Sequence, residues 1–180
     1  MRTFIAVEVP KIQREAIWSI IASLLAKPLP VKWVSVENLH ITMKFLGEID
    51  ERRLGAIQPV LKDIARQRTQ FTARLAGLGC FPSVRSPRVL WVGVAEGAEP
   101  MTELAGVLDR ELYRYDFMKE ERPFHPHLTF GRAKAPVRIE GLFDRAFETE
   151  PFNVAEFVLF KSTLRPEGPL YEILDRFPLG

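Results

Sequence analysis

The sequence predicts an α+β fold built from two similar halves. Two observations predict it. Apolar residues alternate with polar ones in several short segments, as in strands, and recur at helical spacing in three longer ones. The tripeptide His40-Ile41-Thr42 also has a counterpart, His127-Leu128-Thr129, in the second half of the chain. Together these features indicate an internal duplication, with a pseudo-two-fold axis between the two motif strands.

The first half is predicted to run strand, helix, strands, helix. The strand segments are rich in β-branched and apolar residues, and are Thr3–Val9, Val31–Val34 and Leu39–Leu46. Apolar residues at helical spacing predict a helix over Lys11–Leu25, which the prolines after it stop. Asp50 is expected to cap a second helix that reaches Ala65, and Pro59 is expected to kink or split that helix.

The first motif strand alternates between two faces. His40, Thr42 and Lys44 are expected to share one face, because side chains two residues apart in a strand point the same way. The other face is apolar and should pack on a core. The polar face is therefore expected to look towards solvent or a ligand.

The second half repeats the pattern of strands around a helix. Predicted strands lie at Phe71–Leu78, Val89–Val94, Phe124–Phe130, Phe152–Lys161 and Pro169–Phe177. A long connection is expected between the first two of these, and Val89–Val94 is expected to be central. Leucines at helical spacing predict a helix over Glu99–Tyr113.

The second motif strand carries three polar side chains on one face, those of His125, His127 and Thr129. Pro126 lies between the histidines and has no N–H to donate. The start of this strand is therefore expected at a sheet edge or beyond the hydrogen-bonded ladder.

Composition sets the broad class. The 180 residues are 47% hydrophobic and 27% charged, which is ordinary for a globular protein, and we expect a single domain over 1–180. No apolar run approaches about 18 residues and no signal peptide precedes the first strand, so a cytoplasmic protein without a membrane span is expected. The single cysteine, Cys80, cannot form an internal disulfide or a cysteine-rich metal site. A net charge of +2 does not by itself indicate nucleic-acid binding.

Two histidines facing one ligand can divide a proton transfer between them. One imidazole accepts a proton from the nucleophile and the other gives a proton to the leaving group, since the unperturbed pKa of histidine, about 6.5, is close to working pH. The threonine hydroxyls can bind the nonbridging oxygens of a phosphate. This arrangement suits cleavage of a phosphodiester without a metal.

Other interpretations of the same residues stay open. Each histidine could be structural, bonded to backbone in a half-buried sheet. His125 and His127 lie on one face, and with His40 they could bind a zinc ion, although no carboxylate accompanies the motifs at ligand spacing. Cys80 could be a reactive thiol, but no histidine lies near it in sequence.

The two motifs with their flanks, His40-Ile41-Thr42-Met43-Lys44-Phe45-Leu46-Gly47 and His127-Leu128-Thr129-Phe130-Gly131-Arg132, resemble the paired signatures of the two-histidine (2H) phosphoesterase superfamily. More narrowly, the chain is similar to the RNA 2′,3′-cyclic phosphodiesterases, also called 2′-5′ RNA ligases. The segments Arg2–Ala6, Pro87–Gly93 and Ser162–Leu164 extend the resemblance over nearly the whole chain. The second motif has Phe130-Gly131 where many relatives have leucine and a small or variable residue, a minor departure that leaves the histidine and threonine unchanged.

The resemblance implies a bilobal fold in which two antiparallel sheets form a central groove, with helices packed outside. It implies hydrolysis of a 2′,3′-cyclic phosphate to a 2′-phosphate without metal or other cofactor, and in some members reversible 2′-5′ joining of tRNA halves. The expected partners are RNA with a 2′,3′-cyclic phosphate end or cyclic nucleotides, bound by a monomer.

This chemistry assigns roles to the motif residues. If the product is a 2′-phosphate, the ribose 3′ oxygen leaves and water attacks from the opposite side. We assign His40 as general acid to that oxygen and His127 as general base for water, although pseudo-symmetry allows the reverse. Thr42 and Thr129 are expected to hold the phosphate oxygens. Arg132 is expected to add a charge-assisted contact to phosphate or to form a surface ion pair.

The nucleoside is expected to lie against an aromatic side chain. The candidates are Phe4, Trp33 and Tyr171, with Ser162 lining the groove from the closing hairpin. Two alternatives to RNA hydrolysis remain open on these residues. One is a module that binds RNA 3′ ends or nucleotides without turnover, and the other is a phosphodiesterase for another small cyclic phosphate.

Overall fold

A computed structural model describes residues 1–180. It contains three α-helices, one short 3₁₀ turn at Val36–Asn38 and nine strands. The helices are α1 (Lys11–Leu25), α2 (Glu51–Arg66) and α3 (Ala98–Tyr113). The strands are β1 (Arg2–Glu8), β2 (Val31–Trp33), β3 (His40–Glu48), β4 (Phe71–Ser83), β5 (Ser86–Glu96), β6 (His127–Ala133), β7 (Phe152–Val154), β8 (Glu156–Arg165) and β9 (Gly168–Pro178). None of the helices has the length and apolar character needed to span a membrane.

The strands form two antiparallel sheets with corresponding layouts. The first sheet has the order β3-β1-β8-β9 and the second β2-β6-β5-β4-β7. Each half contains a strand, a helix and a motif strand that pairs with the first strand of its unit, β1-α1-β3 and β5-α3-β6, although β2 and the 3₁₀ turn lie between α1 and β3 in the first half. The carboxy-terminal strands β8 and β9 complete the first sheet. The α+β class and the paired sheets predicted from the sequence are thus observed.

One large apolar core joins the helices to a face of each sheet. Along β1, Ile5 and Val7 belong to this core, whereas Phe4 and Ala6 belong to a separate small cluster with Val158 and Phe160. Because successive side chains of a strand point to opposite faces, this second cluster covers the other face of the first sheet. That face is concave and is the one that carries His40.

A β-bulge in β3 overturns part of the predicted alternation. Ala6 pairs with Thr42 but Ile5 pairs with Lys44, so Met43 is an extra residue in the ladder. The side chains after it change sides. Lys44 therefore does not share a face with His40, as predicted, but is buried at 3% exposure, with Nζ 2.6 Å from an Asp109 carboxylate oxygen. Phe45 takes the groove side instead and is 58% exposed.

Three other predictions need adjustment. Helix α2 is continuous through Pro59, which lies on its exposed side together with Gly55, so water can bind the Gly55 carbonyl that loses its N–H partner.

Strands β4 and β5 are longer than predicted, and a tight turn at Val84-Arg85 replaces the long connection. Strand β6 begins at His127, so Pro126 lies before the ladder, as expected. The predicted Asp50 cap is confirmed by its bond from the Arg53 N–H, 2.8 Å.

The Lys44–Asp109 pair links the first motif strand to α3 and to the loop before β6, since Lys44 also donates to the Met118 carbonyl oxygen at 2.9 Å. We expect Asp109→Ala to cost about 3 kcal/mol of unfolding free energy, because it removes the closer carboxylate from a buried ammonium and leaves only exposed Glu120, with Oε1 at 3.9 Å. Lys44→Met should cost less, since Asp109 is 23% exposed and keeps its bond from the Glu120 N–H. Urea unfolding of both variants measures the two losses. A larger loss for Lys44→Met would contradict this account of the pair.

Candidate active site

The two motif strands meet in a groove between the two sheets. A cavity of about 370 Å³ there is lined by both motif histidines, both motif threonines and Arg132. Strand β3 is the edge strand of its sheet and lies beside β6, so the two motifs face each other. Phe4, Ser162 and Tyr171 line the same cavity from β1, β8 and β9. The structure therefore brings together all but one of the site residues predicted from the sequence.

Both imidazoles are held in the same way by backbone. His40 Nδ1 lies 2.7 Å from the Asn38 carbonyl oxygen, and His127 Nδ1 lies 2.6 Å from the His125 carbonyl oxygen. A carbonyl oxygen only accepts hydrogen bonds, so Nδ1 carries the proton in each ring. Nε2 of each neutral ring is then the basic nitrogen. Two imidazoles in the same tautomer thus present equivalent nitrogens for proton transfer.

The two Nε2 atoms differ in their partners within the chain. His40 Nε2 lies 2.9 Å from the Thr42 hydroxyl, two residues along the same strand. His127 Nε2 has no such bond to Thr129. The hydroxyl of Thr42 can donate to neutral His40 and can accept from its imidazolium, so this pair tolerates both protonation states.

Aromatic side chains surround both histidines. The Phe4 and Tyr171 rings lie 4.9 and 5.3 Å from the His40 ring, centre to centre. The Phe81 ring meets the His127 ring edge-on at 5.3 Å, and Trp91 lies 6.3 Å from it. These walls remove water from one side of each imidazole, which disfavours the charged form.

The surroundings of both histidines favour the neutral imidazole. Burial lowers the pKa of His40 below 6.5, the bond to the Asn38 carbonyl opposes this, and the Arg132 charge lowers it further. For His127 burial again lowers the pKa most, the His125 carbonyl opposes it, and the charges of Arg132 and His125 add to the lowering. Arg132 therefore acts electrostatically on both rings.

A second β-bulge directs Arg132 into the groove. Trp91 pairs with Thr129 but Leu90 pairs with Gly131, so Phe130 is the extra residue of β6. Without this extra residue, strict alternation would place the Arg132 side chain on the other face of β6 from Thr129. The extra residue comes directly after Thr129, just as Met43, the extra residue of β3, comes directly after Thr42. Arg132 is thus the counterpart of Phe45, and Gly131 the counterpart of Lys44.

Trp33 is the one predicted site residue outside the groove. It pairs with Gly131 on the core side of the second sheet, and its ring stacks on buried Phe130 at 6.4 Å with an interplanar angle of 4°. A β-carbon on Gly131 would come within 3.0 Å of the Trp33 ring. The structure therefore does not bring Trp33 together with the other predicted site residues, and its ring packs on Phe130 instead of lining the groove.

Several groove residues were not found by sequence reasoning. They line the same cavity and are Arg2, Thr3, Val34, Asn38, Phe45, Leu164 and Pro169. Arg2 pairs with Ser162 across the β1-β8 ladder, so correct strand pairing would have placed it in the groove. Phe45 required knowledge of the bulge, which no local pattern signals.

The zinc alternative lacks its ligand cluster. No three side chains among histidine, cysteine, aspartate and glutamate come together in a way that could hold a metal ion. His125 is exposed and lines the continuation of the groove past His127, whereas His40 lines only the first cavity. The three histidines are therefore not arranged as ligands of one ion.

Comparison with known proteins shows which family this chain belongs to. The sequence model described as the 2′-5′ RNA ligase superfamily matches residues 14–165. This chain belongs to that superfamily. A Thermotoga maritima protein named RNA 2′,3′-cyclic phosphodiesterase is 38% identical over 177 residues, 97% of this chain and 93% of that protein. An Archaeoglobus fulgidus protein of the same name is 38% identical over 180 residues, 98% of this chain and 99% of that protein.

Solved structures of similar proteins have the same fold. Escherichia coli LigT complexed with 3′-AMP has a TM-score of 0.84 and 30% identity, covering 99% of this chain and 97% of that one. A Thermus thermophilus protein has a TM-score of 0.85 and 31% identity, covering 99% of this chain and 98% of that one. The fold class and the family resemblance predicted from the sequence are confirmed.

Because Arg132 lowers the pKa of both histidines, removing its charge should raise both values. We expect Arg132→Gln to move the titration midpoints of His40 and His127 upwards, towards the ordinary histidine value, as followed by ring-proton NMR. Arg138→Gln, an exposed arginine outside the groove, is the matched control and should leave both midpoints in place. Unchanged or lower midpoints in Arg132→Gln would contradict the electrostatic role.

Proposed function

We propose that this protein hydrolyses the 2′,3′-cyclic phosphate at the end of an RNA strand to a 2′-phosphate, using its two histidines and no metal. The observation that carries the proposal is the pair of imidazoles held in one tautomer across one groove, with hydroxyls and an arginine beside them. Relatives across nearly the whole chain are named RNA 2′,3′-cyclic phosphodiesterase, which favours the same reaction.

In the proposed step His127 Nε2 takes a proton from water as the water oxygen attacks phosphorus. The bond from phosphorus to the 3′ oxygen breaks, and protonated His40 gives its Nε2 proton to that oxygen. The products are a 2′-phosphate and a free 3′ hydroxyl. Each histidine ends in the protonation state in which the other began, so one proton exchange with water restores the starting state.

Two observations support His40 as the acid and His127 as the base. The charge of His125 disfavours the imidazolium of His127 and is not among the causes that lower the pKa of His40, which suits His127 as the group that must begin neutral. His40 lies beside Phe4 and Tyr171, where a ribose and base can bind, so the departing ribose oxygen is expected on its side. The anionic substrate then raises the pKa of His40 and favours its acid form.

The phosphate is proposed to lie between Thr42, Thr129 and Arg132. The two hydroxyls can donate to its nonbridging oxygens, and the guanidinium, which forms no ion pair within the chain, can add a charge-assisted contact. Interactions that strengthen as negative charge collects on these oxygens lower the barrier.

The terminal nucleoside is proposed to rest on the concave face of the first sheet. Tyr171 is half-buried and offers a stacking surface, and Ser162 can bond the sugar. Phe4 is only 3% exposed, so it forms the floor beneath the ligand rather than a free stacking face. We propose RNA ends, among them tRNA halves, and cyclic nucleotides as substrates of a cytoplasmic monomer.

The reaction is tested by treating the purified protein with EDTA and adding a short RNA with a 2′,3′-cyclic phosphate end. We expect complete conversion to the 2′-phosphate, resolved from the 3′-phosphate by chromatography. Formation of a 3′-phosphate would reverse the assigned leaving group. Saturable binding with no product would identify an RNA-end binding module, and turnover of another cyclic phosphate alone would change the substrate.

Removing either imidazole should nearly abolish this hydrolysis. We expect His40→Ala and His127→Ala each to lower kcat by about 10²- to 10⁴-fold, the usual contribution of a general acid or base. Circular dichroism and urea unfolding verify that each variant keeps its fold. Near-normal turnover by either folded variant would rule out the two-histidine mechanism.

A further inference from the structure

A second arginine lines the cavity that holds the motif residues. Arg2 begins β1 and lines the same cavity as Arg132. Side chains two residues apart in a strand share a face, so Arg2 lies on the concave face together with Phe4. It pairs with Ser162 of β8, the residue proposed to bond the sugar. Directly paired side chains of antiparallel strands have their β-carbons about 5 Å apart. Arg2 therefore lies beside the position proposed for the ribose.

The guanidinium of Arg2 has no carboxylate partner within the chain. It forms no ion pair. Its neighbour across the β1-β3 ladder is Glu48, but that carboxylate lies 3.2 Å from the amino-terminal ammonium. No aspartate or glutamate lines the cavity. The cavity therefore holds two cations, Arg2 and Arg132, that no carboxylate in the lining neutralises.

Both cations act on the position proposed for the nucleoside. Burial raises the pKa of the Tyr171 phenol most, and the positive charges of Arg132 and Arg2 oppose this rise. Tyr171 is the side chain proposed to stack on the base, and it pairs with Ser162 across the β8-β9 ladder. Arg132 belongs to β6 of the second sheet, whereas Arg2 belongs to β1 of the first sheet. The nucleoside position thus has one cation from each sheet within electrostatic reach.

Two cations match a nucleotide that is part of a strand. Such a nucleotide has one phosphate on the 3′ side of its sugar and another on the 5′ side. A nucleoside 2′,3′-cyclic phosphate with a free 5′ hydroxyl has only the first of these. Arg132 is proposed to contact the cyclic phosphate, so the cation that remains beside the sugar, Arg2, is left for the second. A guanidinium suits this ligand because it can donate two parallel hydrogen bonds to phosphate oxygens.

We propose that Arg2 binds the phosphate on the 5′ side of the terminal nucleotide and thereby makes the protein selective for RNA ends over cyclic mononucleotides. This proposal rests on the proposed function, because it takes the cyclic phosphate to lie at the motif residues. Leu164 and Pro169 pair with each other and line the same cavity. Leu164 is 70% exposed, so it offers apolar surface to the base of the preceding nucleotide.

The test compares adenosine 2′,3′-cyclic phosphate that has a 5′ hydroxyl with the same nucleotide that has a 5′ phosphate, both in EDTA. We expect the wild-type protein to hydrolyse the 5′-phosphorylated substrate with a kcat/KM about 10- to 100-fold higher, the scale of one charge-assisted hydrogen bond. The difference should lie mainly in KM, because the 5′ phosphate is remote from the reacting bonds. A dinucleotide with the same cyclic end should share the preference.

Arg2→Gln should bring the ratio of the two kcat/KM values close to one, whereas Arg2→Lys should keep part of it, since a cation remains. Arg165→Gln is the matched control. Arg165 is exposed and unpaired on β8, three residues after Ser162, but it does not line the cavity. This variant should keep the wild-type ratio. Circular dichroism verifies that each variant is folded.

Three results would overturn the assignment of Arg2. Equal kcat/KM values for the two substrates in the wild type would do so while the proposed hydrolysis stands. A 5′-phosphate preference that persists in Arg2→Gln would show that another group binds this phosphate. Equal losses on both substrates in Arg2→Gln would show that Arg2 acts on the part that they share. Hydrolysis of neither substrate nor of the dinucleotide by the wild type would refute the proposed function itself.

Discussion

The site depends on one repeated constraint, the hydrogen bond from each imidazole Nδ1 to the carbonyl oxygen two residues earlier. It fixes the tautomer, sets the angle of each ring and leaves Nε2 as the basic atom. Since the carbonyl belongs to backbone, no substitution of a neighbouring side chain removes it directly. The segment before each motif strand must therefore hold its shape. Pro126, which restricts the backbone between His125 and His127, contributes to this in the second half.

Burial and nearby charges together determine the protonation state of the two imidazoles. Aromatic walls and Arg132 favour neutral imidazoles in the empty groove, whereas a bound phosphate anion favours the imidazolium. The arginine thus has two opposing effects: its charge favours neutral imidazoles in the free protein, and in the proposed mechanism it binds the phosphate whose charge favours their protonation. The groove is consequently prepared for an anion before the anion arrives.

Much of this arrangement follows from local patterns in the sequence. Helical spacing locates α1 and α3 almost to the residue, and the two His-x-Thr motifs place four groove residues on two strands. Prediction fails where a single extra residue changes the facing of a strand. Lys44 has the local pattern of a groove residue but is buried because of the bulge at Met43. Trp33 packs on Phe130 outside the groove because of a strand pairing that no local pattern reveals. Burial, pairing and bulges are decided by long-range contacts, so they are invisible to periodicity.

The matching bulges affect the orientation in which a polymer strand would bind in the groove. They bring Phe45 and Arg132 to equivalent positions in the two halves, but one is aromatic and the other cationic. A groove with true two-fold symmetry would accept a strand equally well in either orientation, whereas RNA is a polar polymer whose two ends differ chemically. An uncharged ring on one flank and a guanidinium on the other make the two orientations unequal in energy. A duplicated fold can therefore be directional, because equivalent positions in its two halves carry side chains of different chemistry.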